Sequence, residues 1–102
     1  MQPFSPFRPA TRAVVAAAGI RIPLAPWVDS AGGALAISPL GAFPVYVAWG
    51  GDDVACTHLT GHWCQAGQTT VWGVPGNATH LFLVADPGAA VADVQVSQGR
   101  GL

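Results

Sequence analysis

From Phe43 to Val84 the chain is a series of short β-branched and aromatic runs, each stopped by Gly, Pro, Asn or Asp. Phe43-Pro44-Val45-Tyr46-Val47-Ala48-Trp49 ends at Gly50-Gly51, and Val71-Trp72-Gly73-Val74 ends at Pro75-Gly76-Asn77. Thr79-His80-Leu81-Phe82-Leu83-Val84 follows at once. Residues of this kind suit a pleated, half-buried surface, and the breakers suit tight turns. The pattern therefore demands strands joined by short connections.

The same rhythm extends in both directions. Strands are expected near 11–17, 20–25, 34–38, 45–49, 54–59, 63–65, 68–74, 79–85 and 90–97, with turns at Gly19, Gly32-Gly33, Gly50-Gly51, Thr60-Gly61 and Asp86-Pro87-Gly88. Turn signals every 8–12 residues or so predict an all-β fold. The expectation is a compact β-sandwich or jelly roll of about eight short antiparallel strands. No amphipathic helix separates the runs, which excludes a doubly wound α/β fold. Residues 1–9 carry Pro3, Pro6 and Pro9 and read as an extended N-terminal arm ahead of one domain at 10–102. The arm holds Phe4 and Phe7, which either fold back on their own core or lie on a neighbouring subunit.

Only 9% of the 102 residues are charged, whereas 51% are hydrophobic. Ordinary soluble domains carry roughly 25% charge. A small domain so poor in charge leaves weakly polar surface, which points to work inside an assembly. Lysine is absent and the formal net charge is −1, so phosphate-tracking nucleic-acid binding is set aside. No run reaches the roughly 18 apolar residues of a membrane helix. The first residues do not resemble a signal peptide, so synthesis in a cytoplasm and reduced cysteines are expected. Phe4, Phe7, Arg8, Arg12, Trp27 and Trp63 are the candidates for partner contact.

Metal-ligating side chains concentrate in Cys56-Thr57-His58-Leu59-Thr60-Gly61-His62-Trp63-Cys64. A hairpin turning at Leu59-Thr60-Gly61 would set Cys56 opposite Cys64 and His58 opposite His62. Two thiolates and two imidazoles could then hold a structural zinc ion, or the two sulfurs could form a cross-strand disulfide. The alternative is two small buried cysteines and two histidines in a solvated loop. No other cofactor is suggested. His80 stands without a paired acid, glutamate is absent, and no nucleophile–base–acid grouping is visible, so an enzyme is not expected. Trp49 and Trp72 are expected in the core. Trp27 and Trp63 lie in loops, as interface anchors or as a sugar-stacking platform.

Several of these segments together resemble a small β-rich virion protein of tailed bacteriophages. They are Val45-Tyr46-Val47-Ala48-Trp49-Gly50, Val54-Ala55-Cys56-Thr57, Ala66-Gly67, Thr79-His80-Leu81-Phe82-Leu83-Val84, and Val94-Gln95-Val96-Ser97-Gln98-Gly99-Arg100-Gly101. The resemblance spans residues 43 to 101. It implies a capsid decoration, or cement, protein on the virion surface. Such a protein binds the major capsid protein lattice as a dimer or trimer and stiffens the mature head. A tail or fibre component, or a sugar-binding module contacting the host, is the alternative. The cysteine–histidine cluster departs from the group's pattern.

Overall fold

The computed structural model describes residues 4–6, 9–27 and 31–100, and it is all-β. Two of the expected partner contacts, Phe7 and Arg8, lie outside the described residues. The strands are β1 (Ser5–Pro6), β2 (Thr11–Ala16), β3 (Ile20–Pro23), β4 (Gly32–Pro39), β5 (Val45–Gly50), β6 (His62–Cys64), β7 (Thr70–Pro75), β8 (His80–Ala85) and β9 (Val91–Arg100).

They form two antiparallel sheets. The larger runs β1-β9-β4-β7, with β2 also on β9, and the smaller runs β3-β8-β5-β6. The pairings are nested: β2 with β9, β3 with β8, β4 with β7, β5 with β6. The chain is thus a doubled antiparallel ribbon with its fold-back after β5. Rolling that ribbon brings β9 beside β4 and β8 beside β5, which closes the two sheets into a jelly roll. Of the arm, β1 adds to the chain's own sheet, where Ser5 pairs with Arg100 and Pro6 with Gly99.

Alternation fills the space between the sheets. Leu35 and Ile37 of β4, Val94 and Val96 of β9, Val45 and Val47 of β5, and Leu81 and Leu83 of β8 all point inward and are buried. β8 departs from simple alternation, because Phe82 and Val84 on its outer side are buried as well. The chain turns at Gly19 with φ of 84°, which glycine adopts without strain. That turn is pressed so close to Phe82 and Val84 that a side chain at Gly19 would collide with both.

Residues 54–59 were expected to form a strand, and they do not. The hydroxyls of Thr57 and Thr60 take the local backbone bonds instead. Thr57 N donates to Thr60 Oγ1 (2.9 Å) and Leu59 N to Thr57 Oγ1 (3.2 Å). Thr60 N and Gly61 N both donate to the Thr57 carbonyl (3.1 and 2.8 Å). Such side-chain bonds compete with a ladder and fold the segment into a turn.

Candidate interaction surface

The connection from β5 to β6, residues 51–61, climbs over the outer face of the smaller sheet. Arg21 of β3 holds it there: its Nε donates to the Val54 carbonyl (2.8 Å) while the guanidinium lies 5.8 Å from the Phe82 ring centre. Gly61 packs against Tyr46, and a Cβ at Gly61 would meet Tyr46 Cβ at 2.8 Å and Cys56 Sγ at 2.9 Å. Together with the Gly19 turn, this covering accounts for the burial of Phe82 and Val84. Nothing in the spacing of Arg21 marks it for this task.

The expected hairpin around Leu59-Thr60-Gly61 does not form, because β6 takes β5 as its partner. Val45 stands across from Cys64, Tyr46 across from Trp63, and Val47 across from His62. Cys64 therefore faces the core with Val45. His62 emerges on the same side at the rim, stacked on Trp49 (4.9 Å between ring centres) and tilted against Trp72 (5.1 Å). Cys56 and His58 belong to the covering segment on the other side, where His58 meets the edge of Tyr46 at 6.2 Å. The sheet itself separates the four candidate metal ligands into two pairs. Both cysteines are free, and among the described residues no three His, Cys, Asp or Glu side chains gather to hold a metal ion.

Burial raises the pKa of both thiols. For Cys64 an opposing pull comes from Trp72, whose Nε1 donates to the sulfur at 3.4 Å. Both remain thiols at neutral pH, poor in nucleophilicity. Trp49 and Trp72 are half-buried at the rim rather than enclosed, packed against the core with His62 between them. Trp27, expected as an anchor, is turned inward: its Nε1 donates to the Ala78 carbonyl (3.0 Å) and its ring packs on the core beside Gly33. Trp63 does stand out, 54% exposed on the outer side of β6. Arg12 is exposed and doubly bonded to Asp93, at 2.6 and 3.3 Å. That contact holds the Asp93 carboxyl below its ordinary pKa. Phe4 is half-buried just before β1. His80 bonds to its neighbour Thr79 at 2.9 Å.

The missed feature is one end of the roll. Because the strands alternate in direction, the connections 17–19, 40–44, 65–69 and 86–90 all lie at the same end. Among the described residues, the large exposed apolar side chains are Val14, Ile20, Leu40, Phe43, Leu59, Trp63 and Val91. Ile20, Leu40, Phe43 and Val91 lie in or beside those connections, and Leu59 reaches the same end over the smaller sheet. Phe43 lies against Gly88, tying two of the connections together. Leu59, 82% exposed, rims a cleft of about 470 Å³ formed with Ala17, Ala18, Ala85 and Pro87, with Cys56 and His58 in its wall. The opposite end carries Asp52, Asp53 and Asn77, all exposed.

No protein-family model, no curated protein and no solved structure matches the chain.

Proposed function

We propose that this chain is a structural subunit that attaches to a larger protein assembly through the apolar end of its jelly roll, most specifically a decoration protein on a tailed-phage head. The observation that carries this reading is that the exposed Ile20, Leu40, Phe43, Leu59 and Val91 lie toward one end of the roll. Several exposed apolar side chains at one end of a small domain point to a surface that another protein covers. The low charge of the whole chain agrees with such a role. Jelly rolls serve in viral capsids and also in lectins, so the architecture supports the reading only by analogy.

The virion assignment rests on the sequence resemblance, with the major capsid protein as the partner. Sugar binding is the weaker reading, since Trp27 is committed to its own core and Trp63 has no second exposed tryptophan beside it among the described residues. The test is to mix the purified chain with heads assembled without it and to measure bound stoichiometry. Saturable binding that is lost in a Leu59→Ser, Phe43→Ser double variant supports attachment through the apolar end. Absence of binding by the folded parent would defeat the decoration reading. Equal binding by the variant would move the contact elsewhere.

A further inference from the structure

β2 forms a flank of the larger sheet, and its pairing with β9 is regular from Thr11↔Val96 to Ala16↔Val91. Among the described residues no strand pairs with its other side. The direction of its backbone groups follows from one bond. Leu40 N donates to the Asp93 carbonyl at 2.8 Å, so Asp93 turns its backbone groups toward β4. Asp93 stands across from Val14. In an antiparallel pair both partners then point their N–H and C=O away from each other, so those of Val14 face the open side. By alternation Arg12 and Ala16 do the same. The Ala16 carbonyl agrees, since it accepts from Gly19 N (3.0 Å) rather than from β9.

The other flanks are blunted in ways that discourage pairing. β3 carries Arg21 and ends at Pro23, β6 is three residues long, and β7 contains Gly73 and ends at Pro75. β2 has neither proline nor lysine. Its single charge, Arg12, is occupied by Asp93. At its centre Val14 is 66% exposed.

We propose that β2 pairs antiparallel with β2 of a second copy, about a two-fold axis through Val14. In that register Val14 stands across from Val14 of the second copy, and Arg12 across from its Ala16. Outward residues meet outward residues, as a continuous sheet requires. The pairing uses the outward backbone groups that are otherwise open: two bonds join the valines, and two join each Arg12–Ala16 pair. The Ala16 carbonyl contributes its second lone pair. The two Arg12 side chains fall four residues apart along the ribbon, about 13 Å. Sliding by two residues one way would bring them to about 7 Å and set like charges closer together, and the other way would carry Arg12 opposite Ala18, beyond the end of β2. The two-fold also points the apolar ends of the two copies in opposite directions. The dimer is then a bridge between two attachment sites, a consequence that rests on the function proposed above.

The test is light scattering after size-exclusion chromatography, with hydrogen exchange on the same samples. The parent is expected at twice its 10.4 kDa chain mass. Val14→Lys places like charges across the axis, and Val14→Pro removes an N–H that β9 does not use. Both are expected to weaken the dimer by about tenfold or more while the far-ultraviolet spectrum stays that of the parent. A parent that stays monomeric at micromolar concentration overturns the proposal, as do folded variants that remain dimeric. If the variants fail to fold, the parent's Val14 amide decides. Concentration-dependent protection supports the edge pairing, and fast exchange at every concentration rejects it. Head binding is scored separately, so a monomeric parent that still decorates heads defeats the dimer and leaves the attachment reading standing.

Discussion

Cys56 and Cys64 lie on opposite faces of the same sheet. Cys64 points into the core opposite Val45, whereas Cys56 sits in the covering segment against Gly61. No side-chain rotation joins two sulfurs across a sheet, since a disulfide needs Cβ atoms within about 4.5 Å. Both thiols are expected to titrate as free in denaturant. In the folded protein Cys64, fully buried, is expected to resist a thiol-reactive disulfide reagent until the molecule unfolds. Cys56 should react slowly and faster at alkaline pH, because burial raises its pKa and the thiolate is the reacting form. A loss of two thiols on mild oxidation without a change of fold would contradict the placement.

Gly61 is where the covering segment comes closest to the sheet. A methyl group there would press on Tyr46 Cβ, Cys56 Sγ and the Thr57 carbonyl, at 2.8, 2.9 and 3.2 Å. Two of those atoms are near or in the backbone and have little freedom to retreat. Gly61→Ala is expected to cost about 1–3 kcal/mol, as overpacking does. In a domain of this size each kcal/mol lowers the melting temperature by roughly 4–8 °C. Cys56 should also become more reactive as the segment lifts. An unchanged melting temperature together with unchanged labelling would show that the segment is not packed as described.

Gln98 is the buried polar side chain of the core, 6% exposed. It acts on Ala25 as a strand would: its Nε2 donates to the Ala25 carbonyl (2.6 Å) and its Oε1 accepts from the Ala25 N–H (3.1 Å). The segment after β3 is thereby held to the inner side of β9. Gln98→Leu strands both groups of Ala25 and is expected to cost about 1–3 kcal/mol in chemical denaturation. Gln98→Glu is more informative. The ionised carboxylate accepts but cannot donate, so it faces the Ala25 carbonyl with lone pairs. Protonation restores the donor, and this variant should gain stability relative to the parent as the pH is lowered. A constant difference between pH 7 and pH 4 would argue against the clamp.

The strand positions were legible because β-branched and aromatic runs between breakers leave few other solutions. Val45–Gly50 and His80–Ala85 stand close to where their residues place them. The nested pairing was not legible, since alternation says which side chains turn inward but not which strand lies alongside. Residues 54–59 misled for a local reason: Val54 and Leu59 look like strand residues, and the turn depends on two threonine hydroxyls. Without that hairpin Cys56 and His58 are not set opposite Cys64 and His62. The apolar end was beyond reach of any spacing rule, because Leu40, Phe43, Leu59 and Val91 come to the same end only after the ribbon is rolled. Trp63, expected in a loop, stands exposed in β6, and Trp27 turns inward because its partner at Ala78 is 51 residues away.

Tyr46 gives the fold an alkaline limit. Its hydroxyl donates to Asp86 Oδ1 at 3.1 Å, and the ring lies under the covering segment. Burial, and then the neighbouring carboxylate, raise its pKa above the ordinary value of 10. The unfolded chain therefore loses this proton before the folded one does. The contribution to stability is fully present below pH 10 and is lost as the pH climbs from there through the raised folded value. Tyr46→Phe removes one hydrogen bond and is expected to cost about 1 kcal/mol at neutral pH. Asp86 keeps a partner, because its Oδ2 still accepts from Gly88 N at 2.9 Å. The variant should then lose less stability than the parent between pH 9 and pH 11, so the two denaturation curves converge as the pH rises. Parallel curves across that window would show that the tyrosine ionises as freely in the folded state as in the unfolded one.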